Sequence, residues 1–309
     1  LPLVRSHHRP FFFLFPLAFE SFDLANYELV ISNKSAFCHG VIIPPETLHI
    51  CYCLTTTRFL WDFQTYVQRE RFGGLARLIL PPLINRLRLW DRAATERVDH
   101  FVAISETVRR RIAKFYGRDS VVIHPPVDTT KYTPAPSHDD YFLIVSRLVP
   151  YKRIDLAVRA FDQLGLPLVI VGDGRDRTSL EEMAGPNIRF LGRLPEEEVK
   201  ELMAHCRAFV FPGREDFGIA PVEAQAAGRP VIAYAAGGAL DTIVEGVTGT
   251  FFHEQMPEAL AEAVEEFDDT RYDPAVIRQN AERFDKSVFK EQFERFVEEK
   301  LAEHRERFC

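Results

Sequence analysis

The sequence has no apolar run long enough to cross a bilayer. Its nearest approach, Pro10 to Phe19, covers about ten residues with a proline at or near each end, whereas a spanning helix needs about twenty. Basic residues precede this run, as in a signal peptide, but no small-residue cleavage site follows it. The segment is expected to be core or loop of a domain whose opening βα units are absent. Cysteine is sparse as well. Cys38, Cys51, Cys53, Cys206 and Cys309 are scattered, odd in number and without metal-ligand spacing, which argues against a disulfide framework or a zinc module and fits a reducing cytosol. Cys51 and Cys53 alternate on an apolar run and should share one face as small hydrophobes. There is no collagenous or low-complexity bias, and a net charge of -7 speaks against general nucleic-acid binding.

The acidity is uneven. Residues 1–124 hold 16 Lys and Arg against 11 Asp and Glu, and residues 125–309 hold 22 against 34. Much of the positive excess lies between Arg69 and Arg118, which suits an anionic partner, either a phosphorylated acceptor or a lipid surface, and equally an ordinary solvated face. Within it, Leu75, Leu78, Ile79, Leu83, Ile84, Leu87 and Trp90 alternate with Arg77, Arg86, Arg88 and Arg92. Such a basic amphipathic helix can rest on anionic membrane. The blander reading, which we favour, is a core-packed helix pair broken at Pro81-Pro82.

What is present is a rhythm of short apolar runs separated by helical stretches, the pattern of a parallel α/β sheet. In the first half it predicts strands at Glu28–Ser32, His49–Cys53, His100–Ser105 and Val121–Ile123. In the second half it predicts Tyr141–Ser146, Leu168–Val171, Ile188–Leu191, Ala208–Phe211, Pro230–Tyr234 and Gly249–Phe252. Helices fit Ile154–Leu164, Arg175–Ala184, Glu196–Cys206, Ile219–Ala227, Ala239–Glu245 and Pro257–Phe267. Pro125-Pro126 and Pro134-Ala135-Pro136 cannot continue a helix or a central strand, so 125–137 reads as a linker between an incomplete Rossmann-like domain (1–124) and a complete one (138–285). Phe289, Phe293, Phe296, Val297 and Leu301 fall at helical spacing, so 286–309 reads as an amphipathic helix that packs back on the first domain.

Three turns in the second half carry the chemistry. Arg147 and Lys152 lie between a strand ending at Ser146 and the next helix, at the sheet edge where such folds bind ligands. Arg147 offers a planar fork and Lys152 a compact charge, together suited to the negative charge of a departing diphosphate. Glu215-Asp216-Phe217-Gly218-Ile219 follows the strand Ala208–Phe211, with Glu223 further along the same helix. Gly218 lets backbone approach a ligand, the helix start offers free N–H groups to an anion, and the two carboxylates can accept bonds from sugar and ribose hydroxyls. Gly172-Asp173-Gly174 closes another strand. A dinucleotide fingerprint would need a third glycine where Arg177 stands, so a dehydrogenase is disfavoured and the turn more plausibly borders a nucleotide pocket, with Arg189-Phe190-Leu191 near the base. Turn glycines with only a packing role are the alternative. Ala235-Ala236-Gly237-Gly238 either faces phosphates or packs.

Taken together, the SRLVPYKRID run, VGDG, NIRFLG, PGREDFGIAPVEAQAAGRPVIAYAAGG and the terminal helix resemble retaining GT-B glycosyltransferase family 4, and within it the mannosyltransferase-like group that builds surface polysaccharide. The resemblance implies an α/β GT-B fold of two Rossmann-like domains facing across a cleft, the first incomplete. It implies Arg147 and Lys152 on the donor diphosphate, Glu215 on the donor sugar, Glu223 on the ribose, and backbone groups of Phe217, Gly218 and Ile219 completing the site. No metal or other cofactor is implied. The donor is a nucleotide diphosphate sugar, with GDP-mannose as first guess, and the acceptor a glycan or lipid-linked glycan. Such an enzyme would be cytoplasmic, with peripheral contact at the inner face of an anionic membrane, and would bind no nucleic acid.

The first domain resembles the same group through Tyr27–Ser32, Cys51–Asp62 and Ala103–Ser105. Two departures stand out. The chain begins after the family's glycine-rich first loop, and Leu54-Thr55-Thr56 replaces the His-Thr-Pro found in many relatives, so that histidine's role is not transferred. Arg58 and Asp62 are acceptor-side candidates. His39 is a substitute candidate, although a lone histidine is more often structural. Two other readings stay open: a non-catalytic nucleotide-sugar-binding module and a GT-B sugar epimerase.

Overall fold

A computed structural model describes residues 9–62 and 74–308, with the side chains of 9, 10 and 74–79 left aside. Arg69, Arg71, Cys309 and the side chains of Leu75, Arg77, Leu78 and Ile79 therefore lie outside the described residues. The chain falls into two compact units, residues 1–123 with 292–309, and residues 124–291.

The first unit is built on a four-stranded parallel sheet, β1 (Leu29–Lys34), β2 (Leu48–Cys53), β3 (His100–Ala103) and β4 (Ser120–Val122), in that spatial order. All six residues of β2 are buried, Cys51 and Cys53 included, as expected of a strand hydrogen-bonded on both sides. The stretch expected as core or loop near Phe15 is helical, Arg9–Leu14 and Phe15–Glu20. It sends Phe12, Phe15 and Phe19 onto a cluster of Phe37, Leu60, Ile84 and Leu87.

The arginine-rich region corrects the sequence reading. Gly74–Ala94 is one continuous helix, with Pro81 and Pro82 inside it. Proline's fixed φ is itself helical, so the pair fits within a helix at the loss of two N–H donors, and both prolines are exposed. Ile84 and Leu87 are buried, and Leu83 and Trp90 pack on the same cluster, so the described part of this apolar face is occupied by core. Residues of the last helix, Lys286–Phe308, complete the unit. Phe293 meets Tyr52 edge-on at 5.5 Å, Phe296 meets His100 at 6.1 Å, and Arg305 makes two bonds of 2.6 and 2.9 Å to Glu28.

The second unit contains six parallel strands, β5 (Phe142–Val145), β6 (Leu168–Val171), β7 (Ile188–Gly192), β8 (Ala208–Phe211), β9 (Val231–Tyr234) and β10 (Gly249–Phe252). Their order is β10-β9-β8-β5-β6-β7. The first strand is thus central, and the chain reverses its direction of winding between β5 and β8. In open α/β sheets ligands bind at the carboxyl ends of the strands at this reversal. The 125–137 stretch is tied to this unit by hydrogen bonds. Thr129 Oγ1 donates to Asp285 at 2.6 Å, and Arg229 holds the carbonyls of Ala135 and Ser137 at 3.0 and 2.9 Å.

Two helices are much shorter than their sequence pattern, Arg177–Glu181 against Arg175–Ala184 and Ala239–Thr242 against Ala239–Glu245. In the second case Thr248 Oγ1 accepts from Val244 N at 2.9 Å, and this amide is among those a longer helix would have used. A further helix, Pro274–Glu282, has no counterpart in the sequence reading. It starts with Asp273 accepting from Ala275 N at 2.8 Å and with proline at the first helical position.

Candidate active site

The turns leaving β5, β6, β8 and β9 interlock. Leu148 N donates to Asp173 O at 3.0 Å, Asp176 N to Leu148 O at 3.1 Å, and Gly238 N to Glu215 O at 2.9 Å. A side chain at Gly174 would strike Leu148 O at 2.1 Å. Gly172 and Gly174 are therefore accounted for by packing against the Arg147 turn. Asp173 is half-buried, its Oδ1 accepting from Gly174 N at 2.8 Å. The turn at Ala235–Gly238 likewise packs, since a side chain at Gly237 would meet Glu215 O at 2.1 Å.

This frame sets the polar side chains at the reversal. Lys152, from the turn after β5, forms an ion pair with Glu215, from the turn after β8, and the two side chains are 14% and 21% exposed. Arg147 Nη2 donates to Tyr151 Oη at 2.7 Å, and Lys152 Nζ lies 5.5 Å from the centre of the Tyr151 ring. Tyr151 thus touches both cations, a role the sequence pattern did not single out. Arg153 adopts φ 54°, the one positive φ outside glycine among the described residues. Its guanidinium bonds Asp155 at 3.1 and 3.2 Å and Gln255 at 3.3 Å, and Gln255 in turn donates to Pro212 O at 3.2 Å. A backbone held in this sparsely populated region by several contacts is common at functional sites.

Gly218 caps the helix Ile219–Ala226 with φ 92°, and a Cβ there would press on the Phe211 ring at 2.9 Å. Both facts require glycine. The Phe217 side chain is core, packed 5.5 Å from His124 and 5.6 Å from Phe284, so only its backbone is on offer to a ligand. Ile219 is 48% exposed at the helix start, whose first N–H groups are free of intrahelical bonds.

Glu223 is half-buried on the helix Ile219–Ala226. Burial pushes its pKa above the usual carboxylate value, with the nearby Tyr132 hydroxyl acting in the opposite direction. On β7, Arg189 is exposed while Phe190 packs on the core beside half-buried Leu191. In the first unit, Arg58 opens the short helix Arg58–Trp61 and Asp62 stands exposed at its end. His39 corrects its candidacy. It is wholly buried, Nε2 lies 3.1 Å from Asp91 O, and burial followed by the nearby Lys34 charge lowers its pKa to about 3. A neutral imidazole shut inside the core cannot serve a substrate.

Residues 129–284 match the family model described as glycosyl transferases group 1. Among curated relatives, a GDP-mannose-dependent monoacylated alpha-(1-6)-phosphatidylinositol monomannoside mannosyltransferase of Corynebacterium glutamicum is 33% identical over 178 residues, 47% of each chain. The GDP-mannose-dependent alpha-(1-6)-phosphatidylinositol monomannoside mannosyltransferase of Mycolicibacterium smegmatis is 32% identical over 193 residues, 52% of this chain and 50% of its own. The chain spans about half the length of these curated relatives. Among solved structures, sucrose-phosphate synthase from Thermosynechococcus elongatus superposes with a TM-score of 0.73 at 18% identity, covering 95% of this chain and 78% of that one. Anabaena HepE, in complex with UDP and glucose, gives 0.65 at 21% identity, covering 96% and 81%. These likenesses show the fold, which is GT-B.

Proposed function

Because the chain belongs to the glycosyl transferases group 1 family, we propose that it transfers a hexose from a nucleoside diphosphate sugar to a hydroxyl of a glycan or lipid-linked acceptor. Mannose carried by GDP is the first choice, in keeping with what the named relatives use. The observation that carries this reading is the meeting of Lys152 and Glu215 at the reversal of the second sheet. Lys152, Arg147 and the helix start at Ile219 answer the charge that builds on a leaving diphosphate, with no metal invoked. Glu215 supplies an acceptor for sugar hydroxyls, and Glu223 one for the ribose. The first unit, with Arg58 and Asp62, is the reading for the acceptor side. Retention of anomeric configuration, a cytoplasmic site and peripheral contact with anionic membrane belong to the same proposal.

The test is sugar transfer from GDP-mannose by wild type, Arg147→Ala, Lys152→Ala and Glu215→Ala. Removing one preorganised charge at the reacting centre typically costs on the order of 10²–10³ in turnover. Wild-type rates in all three variants would end the assignment. Nucleotide-sugar binding without turnover in the wild type would favour a binding module, and a changed sugar without acceptor an epimerase.

A further inference from the structure

We propose that Tyr151 is a positioning residue for the donor diphosphate: its hydroxyl holds the Arg147 guanidinium ready for the ligand while leaving the guanidinium's charge uncancelled. The inference rests on the donor reading above and adds to it a neutral side chain that acts on the ligand only through Arg147.

Arg147, Lys152 and Arg153 crowd the short stretch after β5, and their partners differ in kind. Lys152 is paired with the Glu215 carboxylate, and Arg153 with the Asp155 carboxylate at 3.1 and 3.2 Å. Arg147 meets a neutral group instead, the Tyr151 hydroxyl, to which its Nη2 donates at 2.7 Å. Among the described residues no carboxylate is paired with it. Of these cations Arg147 alone therefore keeps a full charge to offer an anion. A carboxylate in the place of the hydroxyl would hold the guanidinium as well, but it would cancel that charge and repel the ligand.

The hydroxyl stands on a fixed post. Pro150–Lys152 is a single tight helical turn that starts with proline, with Lys152 N donating to Val149 O at 3.0 Å and Arg153 N to Pro150 O at 3.2 Å. Ahead of it, Leu148 is bound through both its N–H and its carbonyl to the turn after β6. With the backbone set, a tyrosine has only two side-chain torsions to order. Arg147 is the opposite case, exposed, long and rich in rotamers that a ligand would otherwise have to freeze. Holding it before the ligand arrives moves that ordering cost out of the binding step, which is how preorganisation raises affinity. A guanidinium carries five N–H groups and the Tyr151 bond uses one, so a fork remains for phosphate oxygens.

Isothermal titration of GDP-mannose and UDP-glucose into the full chain tests this, with wild type, Tyr151→Phe, Arg147→Ala and the double variant. Tyr151→Phe keeps the ring beside Lys152 and deletes only the hydroxyl. It should weaken whichever nucleotide sugar wild type prefers by about fivefold, with the melting temperature unchanged. Arg147→Ala should weaken binding at least as much. In the Arg147→Ala background the loss of the hydroxyl should have no further effect, because it acts through the guanidinium. A hydroxyl that only braced the fold would lower the melting temperature and would cost the same in both backgrounds. If Tyr151→Phe binds as wild type does, or its cost is the same with and without Arg147, the proposal is wrong while the donor reading stands. If Arg147→Ala binds as tightly as wild type, or wild type binds neither nucleotide sugar, the donor reading fails and takes the role of Tyr151 with it.

Discussion

A Cβ placed on Gly174 would stand 2.1 Å from the carbonyl oxygen of Leu148. The turn after β6 therefore lies directly against the turn that carries Arg147 and Lys152, and Leu148 closes the contact through both its N–H and its carbonyl. Neither partner is a flexible side-chain tip, so a methyl group can be admitted only by moving backbone. Overpacking of this kind costs about 1–3 kcal/mol. Gly174→Ala should lower the melting temperature and weaken GDP or UDP binding several-fold, because the displaced turn positions both cations. Wild-type nucleotide affinity in a folded Gly174→Ala protein would show that this contact does not hold the cations in place.

The burial of Glu223 leads to a pH test. Burial raises the pKa of Glu223 in the folded chain, while the unfolded value stays near 4.5. Between those two values the folded chain holds a proton that the unfolded chain has released. The associated stability is present below about pH 4.5 and is lost as pH rises through the raised value. Denaturant unfolding at stepped pH should show this loss in wild type and not in Glu223→Gln. Tyr132→Phe removes the hydroxyl whose influence favours the carboxylate, so it should extend the loss to higher pH. Superimposable profiles for wild type and Glu223→Gln would refute the assignment of a buried, proton-holding Glu223.

The βα rhythm was legible because strands buried on both faces are unbroken apolar runs, as in Leu168–Val171 and Ala208–Phe211, and their boundaries agree with the sequence pattern. The turns following them were legible for the same reason, since glycine and charge immediately after such a run mark the ligand-binding edge. What local pattern could not reveal were partners far apart in sequence. Lys152 and Glu215 are 63 positions apart, and Lys34 and Thr57 meet across 23. The Pro81-Pro82 pair misled because proline is normally a stop signal, yet in tandem on an exposed helix face it stayed helical. Pro274–Glu282 was missed although Asp273-Pro274 is a recognisable helix start.

Asp91 shows how a charge can be structural. Its carboxylate is fully buried and accepts from Thr57 Oγ1 at 2.7 Å, Trp61 Nε1 at 2.7 Å and Tyr116 Oη at 2.9 Å, with Lys34 Nζ 4.0 Å away and equally buried. Asp91→Leu would leave a cation and three donors in the core without their acceptor, which should cost about 3–5 kcal/mol. Trp61→Phe removes one donor and should cost nearer 1 kcal/mol. Trp61 and Trp90, the two tryptophans of the chain, both lie in the first unit, so tryptophan fluorescence during urea unfolding reports on it directly. A cost below about 1 kcal/mol for Asp91→Leu would mean that the carboxylate is not the hub its contacts describe.

The first unit should also be acid-sensitive, with His39 as the main cause. Burial, followed by the charge of Lys34, lowers its pKa to about 3, and burial lowers His49 and His100 as well. An unfolded histidine takes up a proton near pH 6.5, whereas His39 stays neutral in the fold well below that. Below pH 6.5 the unfolded chain therefore binds more protons, and stability falls with pH until about 3 for His39. Each pH unit across this range is worth about 1.4 kcal/mol for one fully shifted group. Lowering the pH from 7 to 5 should thus cost the first unit about 2 kcal/mol through His39 alone. His39→Phe keeps an aromatic ring between Trp90 and Tyr116 and removes the titrating group, so it should flatten that slope even if it lowers stability at pH 7. Because His39 stays neutral and enclosed throughout, the same variant should leave the shape of the pH profile for sugar transfer unchanged. A lost limb in that profile would return His39 to the reacting groups, and an unchanged stability slope would remove it from the acid response.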